Sequence, residues 1–197
     1  MSSGGGMMIR MFLALPLSGG QRDEVAAKIE PLRRGPEPVR WVAPENLHVT
    51  LRFFGDVGPD LRSRVEDRLA SAARITAPFA WTLGGPGAFP NLGAPRVLWV
   101  GVSEGERDAS SLAGNVEETL AGLGFPEEKR FHAHITVGRT KGRLSERFRE
   151  RFGGLALDPV RREAPAFDLM RSVLTPKGAI YEKLRVFRLE REGEERR

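Results

Sequence analysis

The chain has 197 residues, 40% hydrophobic and 29% charged, with no cysteine and a formal charge of +5. That length suits one domain of ordinary core size or two closely fused lobes. The missing cysteines exclude disulfides, thiolate nucleophiles and zinc–thiolate sites, and no apolar run approaches the length that spans a bilayer.

Residues 1–7 read as a flexible start, residues 8–189 as a single bilobal domain and residues 190–197 as a charged tail. Met7 to Leu17 lacks a charged region before it and a small-residue cleavage site after it, so it reads as a first strand and a cytoplasmic protein is expected. Met8–Leu15 is apolar on both faces, as a buried strand is, and Pro16, Gly19 and Gly20 break it. Val25, Ala26, Ile29 and Leu32 recur at helical spacing, with Pro31 expected to kink or end that helix. Arg40-Trp41-Val42 is a short extended piece, and a strand from Asn46 to Phe54 follows a turn at Pro44. Pro59 opens a second helix with Leu61, Val65, Leu69, Ala72 and Ala73 inward. Phe79–Leu83 alternates as a strand, Gly84–Pro95 reads as a Gly/Pro-rich loop, and Arg96–Val102 as a central strand. Leu112, Val116, Leu120 and Leu123 mark a third helix stopped by Gly122 and Gly124. After a strand at Phe131–Arg139, a short helix spans Ser145–Phe152, and strands Phe167–Leu174 and Ala179–Leu189 form a hairpin.

Two of these strands share one pattern. His48-Val49-Thr50-Leu51 and His134-Ile135-Thr136-Val137 both read His, apolar, Thr, apolar, in a chain with three histidines. Side chains alternate faces along a strand, so each offers an imidazole and a hydroxyl on one face and packs the core with the other. The two histidines lie 86 positions apart, each on a strand followed by a helix. The expected fold is therefore α+β: a bilobal, pseudo-twofold arrangement of two antiparallel-rich β-sheets with outer helices and an active-site groove between the lobes. No Gly-rich phosphate loop precedes a helix, which argues against the usual nucleotide folds.

Paired imidazoles suit a reaction that removes one proton and delivers another, as phosphodiester hydrolysis does. A threonine beside each would supply hydroxyls to the non-bridging phosphate oxygens. Arg52 keeps the parity of His48 and is expected in the groove; Arg139 is out of parity with His134, but Gly138 interrupts the strand and leaves parity undecided. Trp41 and Phe131 are candidate stacking rings for a nucleobase. His132 shares the parity of His134, and a His-x-His pair can bind metal, yet neither His strand carries Asp or Glu as a third ligand, so no metal is expected. The basic balance, with a pI near 10.2, suits an RNA partner, although arginine outnumbering lysine also fits base composition or heat adaptation.

At these residues the chain resembles the two-histidine phosphoesterase superfamily, and within it the RNA 2',3'-cyclic phosphodiesterase or 2'-5' RNA ligase branch. Arg40–Leu51 resembles the first motif with its lead-in, and Gly87–Pro90 with Pro95–Trp99 a middle segment. His134–Arg139 resembles the second motif, and Ser172–Tyr181 a closing hairpin. Ala133 stands where the family has proline, and His132 before it is unusual. The resemblance implies opening of a terminal 2',3'-cyclic phosphate on RNA, tRNA fragments included, to a 2'-phosphomonoester, without metal or other cofactor. It implies His48 as proton donor, His134 as proton acceptor, and Thr50, Thr136 and Arg139 as phosphate-binding residues. The same site run backwards would make a 2'-5' linkage. A monomer is expected. The competing readings are a phosphodiesterase for 2'-5' oligonucleotides or small cyclic phosphates, a non-catalytic basic RNA-binding module, and a metal-dependent hydrolase using His132 and His134.

Overall fold

A computed structural model describes residues 7–126, 130–176 and 178–190. The expected flexible start (but for Met7), the charged tail beyond Glu190 and Lys177 of the hairpin turn lie outside the described residues.

The order is β1 (Ile9–Pro16), α1 (Gly19–Arg33), β2 (Val39–Trp41), β3 (His48–Val57), α2 (Pro59–Arg74), β4 (Phe79–Phe89), β5 (Val97–Val102), α3 (Glu106–Leu120), β6 (His134–Thr140), α4 (Glu146–Gly153), β7 (Arg161–Ala164), β8 (Ala166–Thr175) and β9 (Gly178–Arg188). The strands run β7-β4-β5-β6-β3-β1-β8-β9, with β2 added on β6. Every pairing among them is antiparallel. Along that path four strands lie on either side of the β6–β3 junction, and β2 is a fifth on the β6 side. That junction is a single residue pair, Val49 opposite Ile135. The fold is thus α+β and bilobal, with the two His-Thr strands as the inner edges of the lobes.

The apolar alternation explains the layering. Val49, Leu51, Ile135 and Val137 on one sheet face join one hydrophobic cluster with Val25 and Ile29 of α1, Val65 and Leu69 of α2, Leu112 and Val116 of α3, and Phe148 and Phe152 of α4. The helices therefore cover that face and leave the other to the histidines and threonines.

Several elements differ from the sequence reading. β1 ends at Pro16 as expected, but Gly19 and Gly20, beyond that break, already belong to α1, whose start is fixed by the capping box of Ser18 and Gln21. Pro31 sits inside α1, which continues to Arg33. The stretch Gly84–Phe89 is not loop; it continues β4 and pairs with β5. Its glycines answer to packing: a Cβ on Gly87 would lie 2.1 Å from Cη2 of Trp99, and one on Gly84 3.1 Å from backbone carbons of Gly101 and Val102. β7 carries Arg161, Arg162 and Glu163 and pairs with β4 at the sheet's end, where charge suits an edge strand.

Candidate active site

His48 opens β3 and His134 opens β6. With Val49 opposite Ile135 in an antiparallel pair, His48 falls level with Thr136 and Thr50 level with His134. Four polar side chains thus meet where the lobes join, and all four residues are partly exposed.

Both imidazoles are held alike. Nδ1 of His48 lies 2.7 Å from the Asn46 carbonyl, and Nδ1 of His134 lies 2.7 Å from the His132 carbonyl. A carbonyl oxygen only accepts, so Nδ1 carries the proton in each ring. In the neutral form each Nε2 is therefore a bare lone pair, and in the protonated form a donor. Nε2 of His48 sits 3.0 Å from Oγ1 of Thr50. Burial holds both imidazoles below their ordinary value of 6.5, against the opposing pull of those carbonyls. The charge of His134 lowers His48 further, and the charges of His132 and Arg139 lower His134.

The rings around the two histidines differ. Phe12 of β1 and Tyr181 of β9 pack on His48, at 4.9 and 5.5 Å between centroids, and on each other at 4.8 Å. Phe89 meets His134 edge-on at 5.0 Å, and Trp99 lies 6.2 Å from it. The Tyr181 phenol is raised by burial and lowered by Arg139 and Arg40. Asn46 joins two parts of this wall: its carbonyl fixes His48, and its side-chain Nδ2 donates to the Ala179 carbonyl at the start of β9 at 3.2 Å.

A matched irregularity follows each threonine. Against β1, Thr50 faces Ala14 and Arg52 faces Leu13, so Leu51 is an extra residue. Against β5, Thr136 faces Trp99 and Gly138 faces Leu98, so Val137 is an extra residue. Each bulge inverts the parity beyond it. Arg52 is accordingly turned into the core, only 2% exposed. It forms an ion pair with Glu117 of α3, donates to the Pro126 carbonyl at 2.6 Å and lies over Phe54 and Phe125. The expectation of Arg52 in the groove is thus corrected. The same device turns Arg139 outward: it is exposed, and its charge is felt by His134 and Tyr181.

Trp41 is corrected too. It packs on Phe148 of α4 at 6.2 Å and lies against Gly138, where a Cβ would approach its Cε3 to 3.2 Å. It fills the core notch that Gly138 leaves. Phe131 is also partly buried against the hydrophobic cluster, and the rings that reach the imidazoles are others. Arg40 was missed by the sequence reading. It pairs across β2–β6 with Arg139 and is exposed on the face opposite Trp41. The alternation of Val39, Arg40 and Trp41 carried that signal. His132 stacks beside His134 at 5.9 Å and 19°, with Nδ1 3.6 Å from a Glu106 carboxylate oxygen. Among the described residues, no three His, Asp or Glu side chains converge as a metal-ligand set, and no helix is long and apolar enough to cross a membrane.

Known proteins are similar to this chain in sequence and in fold. The model of the LigT-like phosphoesterase family matches residues 15–99 and 100–181. A protein of Archaeoglobus fulgidus named RNA 2',3'-cyclic phosphodiesterase is 41% identical over 91% of this chain and 99% of its own. One of the same name from Methanothermobacter thermautotrophicus is 38% identical over 93% and 100%. The crystal structure of TT0787 of Thermus thermophilus superposes with a TM-score of 0.74 at 33% identity, covering 93% of this chain and all of that one. LigT of E. coli, in a complex with 3'-AMP, shares the fold at a TM-score of 0.76 and 24% identity, over 93% of this chain and 99% of that one. With both halves of the chain matched and each carrying one of the paired histidines, the chain belongs to the LigT-like phosphoesterase family.

Proposed function

We propose that the protein is an RNA 2',3'-cyclic phosphodiesterase that opens a terminal 2',3'-cyclic phosphate to a 2'-phosphomonoester. The observation that carries the proposal is the pair of imidazoles, each with Nδ1–H committed to a backbone carbonyl two residues earlier and Nε2 left for chemistry. Homologues bearing that activity in their names, at up to 41% identity, support it.

In this reading Nε2 of His134 takes a proton from water as its oxygen bonds to phosphorus. Nε2–H of His48 delivers a proton to O3' as the P–O3' bond breaks. Thr50, Thr136 and Arg139 hold the non-bridging oxygens as charge builds on them. An RNA 5'-hydroxyl in place of water bonds to phosphorus as P–O3' breaks, which reverses the ring-forming first step of a 2'-5' cleavage, so the same groups would support ligation. The enzyme works as a monomer on RNA ends in the cytoplasm.

The test is a short RNA ending in a 2',3'-cyclic phosphate, incubated in EDTA. A 2'-phosphate product is expected. Loss of turnover in chelator would instead favour a metal-dependent hydrolase built on His132 and His134. Binding without turnover would sink the enzyme reading.

A further inference from the structure

We infer that Asn46 is a positioning residue: its side chain latches the β8–β9 hairpin over His48, while its main chain aims the same imidazole. The inference rests on the cyclic-phosphodiesterase reading and adds to it a residue that touches no reacting atom.

The residue two before each histidine supplies the carbonyl that holds its Nδ1. These two residues, Asn46 and His132, differ in where their side chains go. His132 turns its ring to Glu106 of α3. Asn46 closes a single 3-10 turn, Pro44–Asn46. Its own N–H donates to the Ala43 carbonyl at 2.9 Å, and that of Leu47 donates to the Pro44 carbonyl at 3.2 Å. Leu47, next along, is buried in the core. The backbone of Asn46 is thus fixed from both sides, and from that base its side-chain amide reaches the Ala179 carbonyl of β9.

The register shows what this bond spans. His48 lies opposite Pro16, at the last residue of β1. β8 pairs with β1 only from Asp168 to Arg171, and Arg171 lies opposite Met11, so the strand runs on toward the other end of β1. β9 is the outermost strand. Past Arg171 the two hairpin strands are paired with each other, and near their end Leu174 and Ile180 are 69% and 55% exposed. Contact with Asn46 therefore requires the outer hairpin to bend back over the groove face. A bulge serves that bend: Leu169 faces Arg185 and Met170 faces Lys183, so Leu184 is an extra residue. Tyr181, two residues beyond Ala179, then packs on His48 and on Phe12. Phe12 alternates with the core residues Met11 and Leu13 and so faces the groove, yet it is only 2% exposed beneath these rings.

The latch bears on the chemistry of His48. Burial is the main cause that holds this imidazole below 6.5, while the Asn46 carbonyl pulls it up and the charge of His134 lowers it. The rings of Tyr181 and Phe12 supply part of that burial. The titratable groups around His48 are the His134 imidazole of β6 and the Tyr181 phenol of β9, and the phenol lies in the field of Arg139 and Arg40. Removing the Asn46 amide leaves its carbonyl in place and frees Tyr181 to lift. His48 then gains water, rises toward its ordinary value and loses its fixed aim.

Asn46→Ala and Asn46→Ser test this, since both remove the amide donor and keep the carbonyl. On a short RNA ending in a 2',3'-cyclic phosphate, each is expected to lower kcat about tenfold, the scale of a small misplacement of a catalytic group. KM should stay the same, and the maximum of the kcat/KM profile should move to higher pH. Asn46→Gln, which keeps an amide donor, should restore both. Two measurements need no substrate. By NMR titration His48 of the Asn46→Ala protein should titrate closer to 6.5 than in wild type, and the amides of residues 172–181 should exchange faster. In a Tyr181→Ala background, where His48 is already uncovered, adding Asn46→Ala should move the pH maximum no further. A His48 titration and a pH maximum both unchanged in Asn46→Ala, whatever happens to kcat, would overturn the inference, and so would a full further shift in the Tyr181→Ala background. Wild-type protein without turnover would overturn the phosphodiesterase reading, while the titration and exchange measurements would still decide whether Asn46 latches the hairpin over His48.

Discussion

The strands β3 and β6 are two versions of one device. Each begins with a histidine whose Nδ1–H is tied to a carbonyl two residues back, continues with a groove-facing threonine, and then bulges by one residue. They differ in what the bulge turns inward and outward. In β3, arginine goes to the core and phenylalanine to the groove; in β6, glycine goes to the core and arginine to the groove. In the proposed mechanism the shared part would supply acid–base chemistry that either direction could use. The unshared part sets which side chains stand at each end of the groove, phenylalanine at one and arginine at the other.

The shared part breaks with the largest effect. His48→Ala and His134→Ala are each expected to lower kcat by about 100-fold or more, the usual contribution of a positioned acid or base. Single-turnover rates on a cyclic-phosphate RNA, with circular dichroism to verify folding, measure this. A single variant close to wild type would count against the paired mechanism.

The unshared part breaks through stability. Arg52→Ala strands Glu117 beside the core and is expected to cost about 3 kcal/mol, read by denaturant midpoint, with kcat per folded molecule unchanged. Gly138→Ala places a methyl 2.7 Å from Cγ1 of Val39 and 3.2 Å from Trp41. An overpacking cost of about 1–3 kcal/mol is expected there, and a shifted Arg139 should also raise KM.

The smaller effects depend on pH. Both imidazoles titrate below 6.5 in the fold, so the pH at which one is charged and the other neutral lies below 6.5 in the free enzyme. A bell-shaped kcat/KM profile with its maximum below pH 6.5 is expected, and kcat should peak higher once the anionic phosphate favours the imidazolium. Stability follows the same groups. The unfolded chain takes up protons near 6.5 and the folded one only below that, so these histidines cost no stability above 6.5. They remove it as pH falls from 6.5 through the folded values. Comparing denaturant midpoints at pH 7.5 and 5.5, wild type should lose more than a His48→Ala, His134→Ala double variant.

Much of this was legible in the sequence. The His-x-Thr repeat, the alternation behind it and the helical stripes marked the two strands, the core face and the order of elements. The bulges were not legible. A strict two-residue period puts Arg52 in the groove and leaves Arg139 undecided; the extra residue just after each threonine turns Arg52 into the core and Arg139 outward, a difference visible only in the pairing with β1 and β5. Gly84 to Gly87 read as loop because glycine usually marks a turn. Here two of those glycines make room, one for the Trp99 ring and one for the backbone of β5. Trp41 read as a stacking platform because its pocket partner is the absent side chain of Gly138, which no local pattern announces.

The single pair Val49–Ile135 has a mechanical meaning. Among the described residues it is the one ladder pair between the inner strands, and the two histidines flank it immediately on both sides. It stands where a fulcrum between the lobes would stand. Any rocking of one lobe against the other would swing the distant rims, where Phe53 and Arg40 sit, through wide arcs. The imidazoles beside the pivot would scarcely change their spacing. A joint so narrow would let the jaws widen for RNA ends of different bulk while the distance between the two imidazoles stayed nearly constant.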